Sequence, residues 1–151
     1  MDKFWKQFKS GTDIRGVASE GVAGQKINLT DEVVEKISAG FVLWLSKKAN
    51  KPADQLIISV GHDSRISASR IQAAVTRALE PAGVTVYDCG LASTPAMFMT
   101  LVTDGFSFDG SIMITASHLP FNRNGMKFFV ASGGLEKSDI AEILALAEAG
   151  D

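Results

Sequence analysis

Short β-branched runs alternate along this chain with stretches whose apolar residues recur at helical spacing, and this alternation limits the fold more than any other feature. Three runs are typical of buried strands: QLIISV at 55–60, VTVYDCG at 84–90 and SIMITAS at 111–117. Strands joined through helices are connected by right-handed crossovers. We therefore expect three parallel strands with helices on both faces of the sheet.

Four segments carry the helical pattern: residues 30–48, 67–83, 91–105 and 136–150. Thr30 is a suitable N-cap for the first helix and Ser67 for the second. In the third segment Thr94 is a plausible cap, and Pro95 falls in the first helical turn, where proline is best tolerated. These signals predict where each helix begins.

A fourth strand, GMKFFVA at 125–131, follows the third after only about nine residues, too few for a parallel crossover. The Asn124-Gly125 pair is a turn signal that would reverse the chain into this strand. The glycine-rich stretch at 15–25 is typical of a surface loop. The predicted fold is thus a three-layer α/β/α domain with a mixed four-stranded sheet, its first three strands parallel and an antiparallel strand at one edge.

Length and composition narrow the class of protein. The chain of 151 residues fits one domain, 1–151, large enough to bury a core. Its net charge of −2, with both signs mixed along the chain, argues against a nucleic-acid partner. No apolar run approaches the ~20 residues of a membrane span, and no signal peptide is evident. With the single cysteine Cys89, these features favour a cytoplasmic protein without a membrane partner.

Polar segments follow each of the three parallel strands: GHDSRIS at 61–67, GLASTP at 90–95 and SHLPFNRNGMK at 117–127. Ligands of open α/β sheets bind at the carboxyl ends of parallel strands. A further polar segment, SGTDIRG at 10–16, lies outside this pattern but carries an aspartate and an arginine. We expect all four segments to meet at one rim of the sheet.

Several interpretations of Ser117 remain open from the residues alone. It is either a serine that ends a strand and hydrogen-bonds its own turn, or a covalent carrier of phosphate. The second role needs an exposed hydroxyl, a proton carrier and cations, which His118, Arg15 and Lys127 could supply. An acyl-transferring serine is less favoured, because ITASH lacks the G-x-S-x-G elbow.

Other polar residues of these segments have simpler structural roles. Asp63 and Arg65 can form an ion pair that braces the rim, and Thr94 supports the site as a helix cap. Lys127 would point across the loop if Ser117 is close. Asn124 joins Arg15 and Lys127 as a candidate phosphate ligand.

Taken together, GTDIRG, GHDSRIS, GLASTP and TASHLPFNRNGMKFF resemble, in order and rough spacing, the first domain of the α-D-phosphohexomutases, the phosphoglucomutase and phosphomannomutase family. The resemblance implies a phosphoserine at Ser117, beside His118. It implies Lys127 as an acid or base and Arg15 as a neighbour of the phosphate or of the lysine. A Mg²⁺ ion would be held by a phosphoserine oxygen. The phosphate of a hexose phosphate would move between carbons 1 and 6 through a hexose 1,6-bisphosphate.

Two residues and the length of the chain depart from the family pattern. Family members usually have asparagine where Leu119 stands and often an aromatic residue where Arg123 stands. They also carry three further domains, which this chain does not contain, including an aspartate-rich magnesium loop. We therefore expect the chain to fold but to be inactive without those domains. The alternative is a non-catalytic sugar-phosphate sensor or scaffold that retains the fold.

Overall fold

Seven strands form one mixed sheet in the computed structural model, which describes residues 1–103, 105 and 107–150. In chain order the elements are α1 (Lys3–Lys6), β1 (Lys9–Ser10), β2 (Asp13–Val17), α2 (Asp31–Ala49), β3 (Ile57–His62), α3 (Ala68–Leu79), β4 (Thr85–Leu91), α4 (Thr94–Val102), β5 (Gly110–Ile114), β6 (Arg123–Val130), β7 (Gly133–Gly134) and α5 (Lys137–Ala149). A short 3₁₀ turn at Ala53–Gln55 precedes β3.

The strand order is β1-β2-β6-β5-β3-β4, with β7 paired to β6. The predicted parallel pairing is confirmed, because β3 runs parallel to both β4 and β5. The prediction that β6 is antiparallel is also confirmed, but its place at an edge is wrong. The side of β6 that faces away from β5 pairs with β2 in antiparallel orientation. The sheet therefore has more than the four predicted strands.

Helices cover both faces of the sheet, which confirms the three-layer α/β/α class. On one face α2 lies between α3 and α5, and their apolar residues share a core with Ile58, Ile112 and Phe128 of the sheet. On the other face α4 packs Met97 and Leu101 against Met113 and Phe129. Successive residues of a strand point to opposite faces, which explains why neighbours in β5 and β6 enter different clusters. None of the described helices is long and apolar enough to cross a membrane.

Of the three predicted helix caps, one is confirmed and two are wrong. Thr30 caps α2 as predicted, since its hydroxyl accepts a hydrogen bond from the Val33 amide. Ser67 precedes α3, but its hydroxyl accepts from the Asn124 side chain and caps nothing. Thr94 is the first residue of α4, and the preceding Ser93 caps the helix by accepting from the Ala96 amide. In the first case the Ser67 hydroxyl bonds a tertiary partner, Asn124, and in the second the adjacent Ser93 hydroxyl caps α4 in place of Thr94.

The segment before residue 18 is more structured than its sequence pattern indicates. Trp5 and Phe8 are buried in the main core, and residues 13–17, which overlap the predicted surface loop at 15–17, form β2. Strand β2 contains a glycine and two charged residues, so it lacks the apolar run by which a strand is recognised. Its pairing with β6 makes it a strand.

Gly125 allows β2 and β6 to approach each other. It lies opposite Arg15 in the ladder, and a Cβ atom at this position would fall 1.9 Å from the carbonyl oxygen of Ile14. The predicted turn at Asn124-Gly125 is therefore wrong, since both residues lie inside β6. Gly125 is required for close backbone contact and not for reversing the chain.

We predict that Gly125→Ala destabilises the fold by about 2 kcal/mol or more, because the strands must separate to admit a methyl group. Gly134→Ala is the matched control, as a Cβ atom there meets nothing within 4 Å. Urea denaturation of the two variants and the parent chain measures the difference. Equal stability of both variants would contradict the argument.

Candidate active site

The carboxyl ends of β2, β3 and β5 lie at one rim of the sheet. Strand β6 is antiparallel to both β2 and β5, so β2 runs in the same direction as β5. This topology brings the segments GTDIRG, GHDSRIS and SHLPFNRNGMK together around Ser117. GLASTP lies beside the second of them, where the Ala92 amide donates to the carbonyl of His62.

Ser117 is an exposed residue held in an uncommon backbone conformation. Its φ of 53° places it in the left-handed region, which residues other than glycine seldom adopt. The amide of Ser117 donates to the Thr115 hydroxyl at 3.0 Å, and that hydroxyl donates to the Asp63 carboxylate at 2.7 Å. Neighbouring bonds thus hold the strained residue with its hydroxyl at the surface.

Arg65 holds the loop that follows Ser117. Its guanidinium donates to four backbone carbonyls of this loop, those of Ser117, Leu119, Pro120 and Arg123, at 2.7–3.1 Å. The predicted ion pair with Asp63 is present, with 3.4 Å between Arg65 Nε and Asp63 Oδ2. Arg65 is therefore a brace of the loop, and its fork of donors is occupied by the protein itself.

Arg15 donates a long hydrogen bond to the Ser117 hydroxyl. Its Nη2 lies 3.5 Å from Ser117 Oγ and 3.1 Å from Asp13, and its Nη1 donates to the Thr115 carbonyl. Only 6% of Arg15 is exposed, and this burial lowers the pKa of its guanidinium, while Asp13 opposes the shift. Since an arginine ordinarily titrates far above neutrality, Arg15 remains a cation facing the hydroxyl.

Lys127 reaches the site through Asp13. Its Nζ lies 2.9 Å from Asp13 Oδ1, so Asp13 bridges Lys127 and Arg15. The sequence pattern did not predict a role for Asp13. Asp13 and Arg15 are two residues apart and therefore share one face of the strand. The predicted role of Lys127 as an acid or base stays a prediction.

Three other predicted site residues take different positions. Asn124 is fully buried and donates to Ser67, so it supports the loop from below, and its role as a phosphate ligand stays a prediction. Thr94 lies in the first turn of α4, within the GLASTP segment, and not among the groups that hold Ser117. His118 is exposed directly beside Ser117, as its place in the sequence requires.

The charges around Ser117 favour an anion. Four cations surround the Ser117 loop: Arg15 on β2, Arg65 in the turn after β3, and Arg123 and Lys127 on β6. The carboxylates that pair with them are Asp13 and Asp63. This set carries a surplus of two positive charges. Among the described residues no three His, Cys, Asp or Glu side chains cluster in a way that would hold a metal ion. The arrangement can stabilise a phosphoryl group on an exposed hydroxyl.

Comparisons with known proteins agree on one family. The description "Phosphoglucomutase/phosphomannomutase, alpha/beta/alpha domain I" matches residues 6–151. Phosphoglucosamine mutase of Corynebacterium jeikeium is 34% identical over 93% of the chain and 31% of its own length. Phosphomannomutase of Sinorhizobium fredii is 37% identical over 85% of the chain and 27% of its own length. The chain thus spans less than a third of these curated relatives.

A solved structure supports the same architecture. The phosphoglucomutase/phosphomannomutase family protein of Burkholderia thailandensis has a TM-score of 0.77 and 24% sequence identity. The alignment covers 99% of this chain and 31% of that chain. This likeness establishes the fold alone.

We predict that Arg65→Lys loosens the Ser117 loop, because one ammonium cannot bond four carbonyls. Losing charged hydrogen bonds worth about 1.5–3 kcal/mol each should speed amide exchange at Ser117, Leu119 and Arg123 by about tenfold or more. Arg77→Lys is the control, since Arg77 is half-exposed and pairs only with surface carboxylates. Hydrogen exchange followed by NMR measures the effect. Unchanged amide protection in Arg65→Lys would contradict the proposal that Arg65 holds the loop.

Proposed function

Because the chain belongs to the phosphoglucomutase/phosphomannomutase family, we propose that Ser117 carries a phosphoryl group which it exchanges with a hexose phosphate. The observation that supports this role is the exposed Ser117 hydroxyl, held at a φ of 53° with Arg15 at 3.5 Å. A structural turn serine would need neither a buried guanidinium beside its hydroxyl nor a brace on four carbonyls of its loop.

The proposed reaction consists of two transfers. In the first, the phosphoserine O–P bond breaks while a sugar hydroxyl forms a new P–O bond and gives up its proton; the Ser117 oxygen takes up a proton. The resulting hexose 1,6-bisphosphate turns over, and Ser117 accepts the phosphoryl group at the other carbon by the reverse step. The net result interconverts the 1-phosphate and the 6-phosphate.

Four residues have proposed roles in these transfers. Arg15 stabilises the negative charge of the phosphoryl group as it passes between oxygens. Lys127 is the proposed proton carrier, and Asp13 joins it to Arg15 and fixes its position. His118 offers a second group for proton transfer or phosphate binding beside the hydroxyl. Such stabilising contacts are the main contribution that a protein makes to phosphoryl transfer.

The proposed Mg²⁺ would bind an oxygen of the phosphoserine, since hard cations prefer oxygen ligands. The described residues do not form a magnesium site by themselves, because Asp13 and Asp63 are each engaged with cationic side chains. We therefore propose that the remaining ligands come from other domains of the protein.

The proposed substrate class is a hexose phosphate. The relatives named above are a phosphoglucosamine mutase and a phosphomannomutase, so glucosamine joins glucose and mannose as a candidate sugar. We propose that this chain acts in the cytoplasm, in one protein with further domains that bind the sugar, and that residues 1–151 alone give no turnover.

A non-catalytic sugar-phosphate sensor is the alternative, and the departure at Leu119 is what suggests it. The structure weakens this argument, because residue 119 contributes its backbone carbonyl to Arg65 and its amide to the Ala116 carbonyl. Both bonds form with any side chain at this position. The loop therefore keeps its shape without a side-chain amide at residue 119.

We predict that Ser117→Ala in the full-length protein abolishes interconversion of the 1- and 6-phosphates of glucose, mannose and glucosamine, because no oxygen remains to carry the phosphoryl group. Ser64→Ala, an exposed serine of the neighbouring loop, should leave turnover unchanged. A coupled assay measures turnover, and intact mass should show one phosphoryl group on the parent but not on Ser117→Ala. Full turnover by Ser117→Ala would favour the sensor.

A further inference from the structure

Arg123, the first residue of β6, is a partly buried cation whose guanidinium has no partner among the described residues. Its Nε is hidden from solvent without a hydrogen bond, and no bond or ion pair joins its guanidinium to another residue that the structure describes. By contrast, Arg15 and Lys127 share Asp13, and Arg65 faces Asp63. A donor nitrogen hidden from solvent without a partner is unfavourable, and the rest of the guanidinium is left to bind an anion, so this position is suited to one.

The strand register places Arg123 on the same face as the site. Residues two apart on a strand share a face, so Arg123 lies with Gly125 and Lys127. Its partner across the ladder is Val17, two residues beyond the pair formed by Arg15 and Gly125. Gly125 has no side chain, and Arg15 passes over it, with Cδ 2.9 Å from where a Cβ atom would lie. Arg123 therefore lies on the same face of the sheet as Arg15.

The backbones of Arg123 and Ser117 are joined by a single guanidinium. Arg65 donates from Nη1 to the Arg123 carbonyl at 3.1 Å and from Nη2 to the Ser117 carbonyl at 2.7 Å. Ser117 and Arg123, at the two ends of this loop, are therefore held close together by the Arg65 guanidinium. A long arginine side chain at position 123 can cover this distance.

We propose that Arg123 binds the phosphoryl group on Ser117 as a second guanidinium opposite Arg15. The surplus of two positive charges around Ser117 matches the charge of a phosphoserine, about −1.5 to −2 at neutral pH. One surplus charge belongs to the pair of cations that share Asp13, and Arg123 supplies the other. The inference rests on the proposed phosphoryl carrier at Ser117.

Phosphoserine installed at position 117 by genetic-code expansion allows a test that needs no catalytic turnover. In the full-length protein, ³¹P NMR follows the second ionisation of the phosphoserine. Arg123→Gln should raise that pKa by about half a unit to one unit, because a nearby cation favours the dianion. Arg123→Lys, which keeps the charge, should raise it less, and Arg77→Gln should leave it unchanged. His118 is unchanged in every variant, so the difference isolates Arg123.

Failure of the Arg123 inference can be distinguished from failure of the proposed mutase function. If Arg123→Gln titrates like the parent while its thermal unfolding without phosphate is also unchanged, Arg123 does not bind the phosphoryl group and the inference is overturned. Full turnover by Ser117→Ala overturns the carrier role instead, whatever the titration shows. Misfolding does not confuse the result, because Arg123→Lys retains size and charge and an unpaired side chain contributes little to stability.

Discussion

The hydrogen bonds of Arg65 with the Ser117 loop are the interaction on which the site depends. A loop of irregular backbone leaves carbonyls without partners, and four of them converge on one guanidinium whose side chain is largely shielded from solvent. Thr115 and Asp63 add a second support, from the amide side of Ser117. These two supports hold Ser117 in a left-handed conformation that usually requires glycine, and its side chain faces solvent.

Arg15, the cation that bonds the Ser117 hydroxyl, comes from a strand that the parallel core does not require. The parallel strands and their helices already form an α/β/α unit, and β2 adds to the free side of β6. That addition needs close contact at Gly125, and its result is to bring Arg15 and Asp13 to a hydroxyl more than 100 residues away in the chain. Fold and chemistry therefore meet at the β2–β6 ladder, which also aligns Lys127 and Arg123 on one face.

The sequence predicted the helices and parallel strands well and the polar details less well. Apolar periodicity located α2, α3 and α5, because burial of a continuous stripe dominates the free energy of a helix in a domain. Asn124-Gly125 was read as a turn, yet Gly125 admits a neighbouring backbone and Asn124 bonds Ser67. A short polar side chain has several partners of similar energy, so local pattern cannot choose among them.

The sequence alone determined the α/β class, the parallel core, the rim at which polar segments gather and the family to which those segments point. These features depend on residue spacing and on segments read in order. Only the tertiary structure decided that residues 13–17 are a strand, that Asp13 bridges Arg15 and Lys127, and that Arg65 bonds backbone carbonyls. It also decided that Arg123 meets no carboxylate in the part of the chain that the structure describes. Each of these depends on which residues, distant in sequence, meet across a ladder or a loop, and residue spacing along the chain does not encode that.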